Sequence, residues 1–264
     1  MITGVKPPQT AGPVSVVVIG GIDPSGGAGL LRDVATATAR GARAHAVGTA
    51  WTEQADGIHR VEPRPPAAVR AALAETISGL RPAAVKIGMA VGPATAAALI
   101  EALGDYAGPV VIDPVLATSR GGALWEGAPQ QLMPLLRRAT LVTPNATEAA
   151  ALTGGSLKNF QEAEAAGRSL LQAGLRAVLV KGGHLDEGSG IVTDLLVTAD
   201  RTRPQSHPRV APPTPRGTGC ALATAIAVEL GRGADLAAAV DAATEWLACA
   251  IAAAVDVGGE RHLG

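Results

Sequence analysis

The chain has 264 residues, 47% of them hydrophobic, enough to bury the core of one large α/β domain or two small ones and too apolar for disorder. Its 22 basic and 23 acidic residues leave a formal charge of −1, which gives no electrostatic footprint for nucleic acid or an anionic membrane. Two cysteines, Cys220 and Cys249, exclude a disulfide scaffold and suit a reducing cytoplasm. The N-terminus lacks an apolar signal core, and no uncharged apolar run approaches the ~20 residues of a membrane span.

Residues 1–12 are rich in Pro and Gly and are expected to be a flexible segment ahead of one domain over residues 13–264. V-S-V-V-V-I, from Val14, is short and β-branched and reads as a buried strand stopped by Gly20 and Gly21. The loop I-D-P-S-G-G-A-G leads into a helix, L-L-R-D-V-A-T-A-T-A-R, closed by Gly41. The alternation then repeats: a strand at 44–50, a helix at 65–80 with Pro in its first turn, the strand A-A-V-K-I-G and a helix at 93–103. P-V-V-I-D is a strand ending on Asp113. A helix at 129–138, the short strand T-L-V-T and helices at 146–152 and 160–173 follow. A-V-L-V-K is a strand ending on Lys181, and residues 190–198 read as another. The prolines at 204–215 form the longest low-complexity tract, and helices at 218–230 and 235–255 close the chain.

Strands alternating with helices predict a mostly parallel, doubly wound α/β sheet covered on both faces, as one domain. Such sheets bind ligands beyond the C-terminal ends of their strands. Gly20 and Gly21, the stretch from Lys86 to Met89, Asp113, the stretch from Thr143 to Asn145, and Lys181 to Gly183 all fall at predicted strand C-termini. They should converge on one rim. Only four lysines stand among the 22 basic residues, so a lysine can mark a place where an ammonium is required; biased codon usage explains a single case equally well.

P-R-G-T-G-C-A-L, from Pro215, starts an apolar helix with poor helix formers. Unpaired amides and aligned peptide dipoles make a helix N-terminus electropositive, and glycines let a ligand approach. Gly217, Thr218 and Gly219 are thus candidates for an anion nest. Cys220 in that field should have a lowered pKa and could take a proton. A glycine-rich turn with a small core cysteine remains the other reading. G-G-I-D-P-S-G-G-A-G matches neither the dinucleotide fingerprint, which would need glycine at Arg32, nor the P-loop, which would need lysine at Gly27. Asp33, early in the following helix, either points back into the site or is an exposed helix carboxylate. Asn145 and Glu148, three apart in T-P-N-A-T-E, suit water-coordinated Mg2+ or an ordinary acidic helix start. V-K-G-G-H sets Lys181 at a strand end, as a phosphate partner or a surface lysine. There is no zinc spacing and no nucleophile elbow, and the five aromatics do not interleave with basic runs. Trp51, near a strand end, could cover a flat ring or plug the core.

G-G-I-D-P-S-G-G-A-G-L-L-R-D, T-A-W-T-E-Q, K-I-G-M, D-P-V, T-P-N-A-T-E-A, V-K-G-G-H and G-T-G-C-A-L occur in that order between Val14 and Ala253. In this the chain resembles the hydroxymethylpyrimidine/phosphomethylpyrimidine kinases of thiamine biosynthesis. The resemblance implies a ribokinase-like three-layer α/β/α sandwich and a cytoplasmic, homodimeric kinase using ATP and Mg2+. Such an enzyme phosphorylates 4-amino-5-hydroxymethyl-2-methylpyrimidine and then its monophosphate. It implies Cys220 as the proton acceptor, with Gly217, Thr218 and Gly219 as the anion hole. Gly21, Asp33, Gln54 and Met89 would line the pyrimidine pocket. Lys181, Asn145 and Thr143 would serve ATP, and Glu148 and Asp113 the metal. The segment 51–56 is one residue shorter than the family pattern, Arg120 replaces an expected glycine, and Arg216 stands where the family often has His. The altered 51–56 segment keeps open a kinase of pyridoxal or a related heterocyclic alcohol; a catalytically weak pyrimidine-phosphate sensor is the third reading, against which Cys220, the G-T-G-C loop and Lys181 argue.

Overall fold

The computed structural model describes residues 12–53, 60–118, 122–183, 185, 190–210, 215–257 and 259–263. In chain order the elements are β1 (Ser15–Ile22), α1 (Gly29–Ala39), β2 (Arg43–Glu53), β3 (Arg60–Pro63), α2 (Pro66–Leu80), β4 (Ala84–Ile87), α3 (Pro93–Leu103) and β5 (Val110–Ile112). A 3-10 turn (Pro129–Leu132) leads into α4 (Met133–Leu136), β6 (Leu141–Val142), α5 (Ala146–Thr153), α6 (Phe160–Gln172) and β7 (Ala177–Val180). The chain ends with β8 (Ile191–Thr198), β9 (Thr202–Pro208), α7 (Thr218–Gly231), α8 (Leu236–Ala252), β10 (Val255–Val257) and β11 (Glu260–His262).

Among the described residues, nine strands make one sheet in the order β3-β2-β1-β4-β5-β6-β7-β8-β9. The run from β2 to β7 is parallel, and β3, β8 and β9 join by antiparallel pairing at the two edges. Alternation along β1 sends Val17 and Ile19 into a core with Val69 and Leu73 of α2, Leu99 of α3 and Leu170 of α6. Val16 and Val18 pack on the other face with Leu30 of α1, Ile226 of α7 and Val240 of α8. Each such side chain contributes roughly 1.5–3 kcal/mol by leaving water. The helices therefore form a layer on each side of the sheet, as the alternation predicts.

Several boundaries differ from expectation. Gly20 and Gly21 do not stop β1. The strand continues to Ile22 past a register jump, where Gly20 pairs with Gly48 but Gly21 pairs with Ala50. The extra residue, Thr49, turns its hydroxyl to the Met89 carbonyl at 2.8 Å. The helix expected at 129–138 begins as a 3-10 turn because Pro134 has no N–H to continue an α-ladder. The last helix ends at Ala252, where an antiparallel hairpin takes over; its turn is held by the Gly259 amide on Asp256 Oδ1 and by Gly259 at φ +84°. The prolines of β9 sit on an edge strand, which tolerates a missing donor. Among the described residues no helix is long and apolar enough to cross a membrane.

Candidate active site

β5, β6 and β7 end side by side, and the next residue after each is Asp113, Thr143 and Lys181. Lys181 Nζ donates to Asp113 Oδ1 at 2.7 Å, and the Thr143 hydroxyl donates to the same oxygen at 3.2 Å. The first turn of α7 reaches the same rim. A Cβ on Gly219 would lie 3.0 Å from Lys181 Nζ and 3.6 Å from Asp113 Oδ2. The expected anion hole and the expected phosphate lysine therefore face each other directly.

The start of α7 explains its glycines. Gly217, the N-cap, has φ +74°, and a Cβ there would lie 2.3 Å from the Gly27 carbonyl oxygen. The D-P-S-G-G loop thus rests on the first turn. Gly29, at φ +61°, is as confined: its Cβ would lie 2.4 Å from the Gly21 carbonyl. Helices α5, α6 and α8 are capped by Asn145, Asn159 and Asp235, whereas among the described residues no side chain caps α1 or α7. Their amides remain available at the rim. Cys220 is half-buried in the first turn of α7, where the nearby Gly29 amide favours its thiolate.

The expected lowering of the Cys220 pKa is corrected. Burial pushes the thiol up to about 11; Lys86 pulls it back, while Asp33 and Asp113 add to the rise. Desolvation outweighs the helix-terminus field on which the sequence argument rested.

Asn145 and Glu148 form a reciprocal capping box. The Glu148 amide donates to Asn145 Oδ1 at 2.9 Å, and the Asn145 amide donates to Glu148 Oε2 at 2.8 Å. That accounts for their spacing by ordinary helix chemistry, yet it also delivers a buried carboxylate beside Asp113 and Lys181. Burial raises the Glu148 carboxyl to about 7, with Lys181 opposing and Asp113 assisting. Among the described residues no cluster of three or more His, Cys, Asp or Glu could hold a metal. The donor set is two carboxylates.

The K-G-G turn carries a residue that sequence reasoning missed. A Cβ on Gly182 would lie 1.7 Å from the Thr193 carbonyl oxygen, and the Gly182 amide donates to Asp194 Oδ1 at 2.7 Å. Asp194, buried on β8, anchors the turn that presents Lys181. The signal available was an acidic residue inside the apolar strand T-D-L-L.

On the β1 side, a Cβ on Gly21 would lie 2.6 Å from Met89 Sδ, so these two expected pocket residues touch. Asp33 is no exposed helix carboxylate: it is 0% exposed, with Oδ2 accepting from Lys86 Nζ at 2.6 Å and Oδ1 from the Thr224 hydroxyl at 2.9 Å. Two of the four lysines thus sit at the rim as ion-pair partners. Gln54 and Arg120 lie outside the described residues. Arg216 is tied to Asp23 Oδ2 at 3.1 Å and Ser25 Oγ at 3.3 Å, bracing the loop against α7. Arg32, buried where a dinucleotide loop would need glycine, donates to the carbonyls of Gly26 and Leu263. Trp51 does not plug the core: it is 59% exposed, on an open groove of about 350 Å3 lined also by Ile22, Glu62 and Arg64.

Residues 23–263 match the model of the family described as phosphomethylpyrimidine kinase. The chain is 34% identical over 264 residues to a hydroxymethylpyrimidine/phosphomethylpyrimidine kinase of Streptomyces coelicolor, covering 98% of this chain and 95% of that one. It is 38% identical over 241 residues to one of Rhizobium meliloti, covering 89% and 90%. Among solved structures, a phosphomethylpyrimidine kinase of Clostridium difficile superposes with a TM-score of 0.76 at 30% identity, over 90% of this chain and 99% of that one. A Staphylococcus aureus pyridoxal kinase in complex with ADP superposes at 0.86 with 26% identity, over 96% and 93%. The fold is ribokinase-like. With its glycine-floored helix N-terminus, its cysteine and its facing Lys181–Asp113 pair, the chain belongs to the phosphomethylpyrimidine kinase family of phosphotransferases.

Proposed function

We propose that the protein transfers the terminal phosphoryl group of ATP to the hydroxymethyl group of 4-amino-5-hydroxymethyl-2-methylpyrimidine, and then a second one to the monophosphate, in thiamine biosynthesis. The observation that carries this reading is the approach of Lys181 Nζ and Asp113 Oδ2 to Gly219, one residue before Cys220. The amides of Gly217, Thr218 and Gly219 surround developing phosphoryl charge, and Lys181 neutralises oxygens on the nucleotide side. Cys220 accepts the proton of the attacking hydroxyl. A sulfur base with a pKa near 11 is sparsely populated as thiolate at neutral pH, but is strongly basic when formed. Gly21 and Met89 floor the pyrimidine side, with Gln54 assigned to hydrogen-bond the ring.

The residues present fit Mg2+. Asp113 Oδ1 is occupied by Lys181 and Thr143, while Oδ2 faces the anion hole. Asp113 would hold the ion directly and Glu148 through water, the sparse carboxylate set this ion takes beside phosphates. When bound it would neutralise charge on the nucleotide phosphates.

The test is product analysis by mass spectrometry, with Mg-ATP and hydroxymethylpyrimidine in one tube and pyridoxal in another. Mono- and then diphosphorylated pyrimidine is the expected result. Phosphorylated pyridoxal alone would move the assignment to the pyridoxal reading. No ATP consumption with either would leave the sensor. Light scattering checks the expected homodimer.

A further inference from the structure

Lys86 has no task in the reaction described above, yet its side chain is only 1% exposed within an apolar sheet. Along β4, Val85 and Ile87 pack on the α2–α3 layer, whereas Ala84 packs on the α1–α7 layer. Strand alternation sends Lys86 the same way as Ala84. A Cβ on Gly88 would lie 2.9 Å from Lys86 Nζ, so the ammonium has climbed to the rim, two residues beyond its own Cα. There it meets Asp33 Oδ2 at 2.6 Å. Asp33 Oδ1 accepts the hydroxyl of Thr224, which lies four residues after Cys220 on the same face of α7. The ion pair is thereby fastened one turn below the cysteine. Buried ion pairs are poor stabilisers, and apolar side chains of similar volume would join these layers as well.

We infer that Lys86 is a positioning residue for phosphoryl transfer: held by Asp33 and, through Thr224, to α7, it keeps a positive charge beneath Cys220 that supports the anionic sulfur. This rests on the reading of Cys220 as the base. The charges facing Cys220 are Lys86 from β4, Arg32 and Asp33 from α1, Asp113 after β5 and Lys181 after β7. β1 contributes none. Arg32 is bound to two carbonyls and Lys181 to Asp113, whereas Asp33 uses one of the three donors of Lys86. In the step it serves, the substrate O–H bond breaks and the proton goes to Cys220 Sγ. The freed oxygen bonds phosphorus as the bond to the departing ADP breaks, and the thiol later returns its proton to solvent.

A Cys249→Ser background leaves one thiol, so the iodoacetamide alkylation rate at about pH 8 reads the thiolate fraction of Cys220 alone. In Lys86→Met that rate should fall roughly 10-fold or more, with kcat down at least ~10-fold and the pyrimidine KM little changed. Lys86→Arg should restore both. If Lys86→Met does not fold, Lys86→Met/Asp33→Asn removes both charges and should lower the rate by less, because the lost Asp33 carboxylate opposed the thiolate and the lost Lys86 supported it more strongly. An unchanged alkylation rate and an unchanged pH profile of kcat in a folded variant overturn the inference. Cys220→Ala with wild-type turnover would overturn the base reading as well, whereas an inactive Cys220→Ala beside an indifferent Lys86→Met would overturn the lysine alone.

Discussion

Replacing Glu148 by Gln should change how folding depends on pH. The carboxyl is 7% exposed and is raised from its ordinary 4.5 to about 7, chiefly by burial. The folded protein therefore holds this proton more tightly than the unfolded chain. The stabilisation is fully present below pH 4.5 and is lost as pH rises through 7. The gap from 4.5 to 7, at about 1.4 kcal/mol per pH unit, is about 3 kcal/mol, of which roughly 2.5 kcal/mol falls between pH 5 and pH 8.5. Gln is neutral throughout, so it lacks this dependence. At about pH 5 the folded Glu148 is itself a neutral acid, and its O–H stands where the Gln NH2 would stand. At about pH 5 the Glu148→Gln variant should thus be close to the parent in stability; near pH 8.5 it should be more stable by roughly 2.5 kcal/mol. Urea denaturation followed by circular dichroism, with EDTA and without nucleotide, measures both. An equal difference between the two proteins at pH 5 and pH 8.5 would refute the reasoning.

Cys220→Ala should lower turnover by roughly 10²-fold or more while circular dichroism stays native, the scale of losing a general base; unchanged turnover removes Cys220 from the mechanism. Gly182→Ala forces the backbone away from the Thr193 carbonyl and breaks the 2.7 Å bond to Asp194. It should cost about 1–3 kcal/mol in thermal denaturation and raise the KM for ATP, and a native melt with native KM would contradict it. Gly21→Ala meets only the flexible end of Met89. It should fold normally and weaken pyrimidine binding without altering the KM for ATP, which steady-state kinetics resolves.

Much of this protein is determined by local sequence. The period-2 and period-3.6 patterns place the strands, and a strand end followed by Asp113, Thr143 or Lys181 puts that side chain on the rim whatever else the fold does. The αL backbone of Gly217 and the unpaired amides of α7 are also local, so G-T-G-C is legible as an anion site. Tertiary structure decided the rest, because it depends on what the fold brings close. Nothing near Asp33 announces that Lys86, 53 residues on, and Thr224, 191 residues on, close around it. β9 was hidden because its prolines are tolerable only on a sheet edge, and the edge is known only once the strands are ordered. The Cys220 thiol makes the distinction sharpest. Its helix-terminus field can be read from five residues, but its burial and the carboxylates of Asp33 and Asp113 come from remote elements. Desolvation in the assembled core then reverses the direction that the local field alone would set.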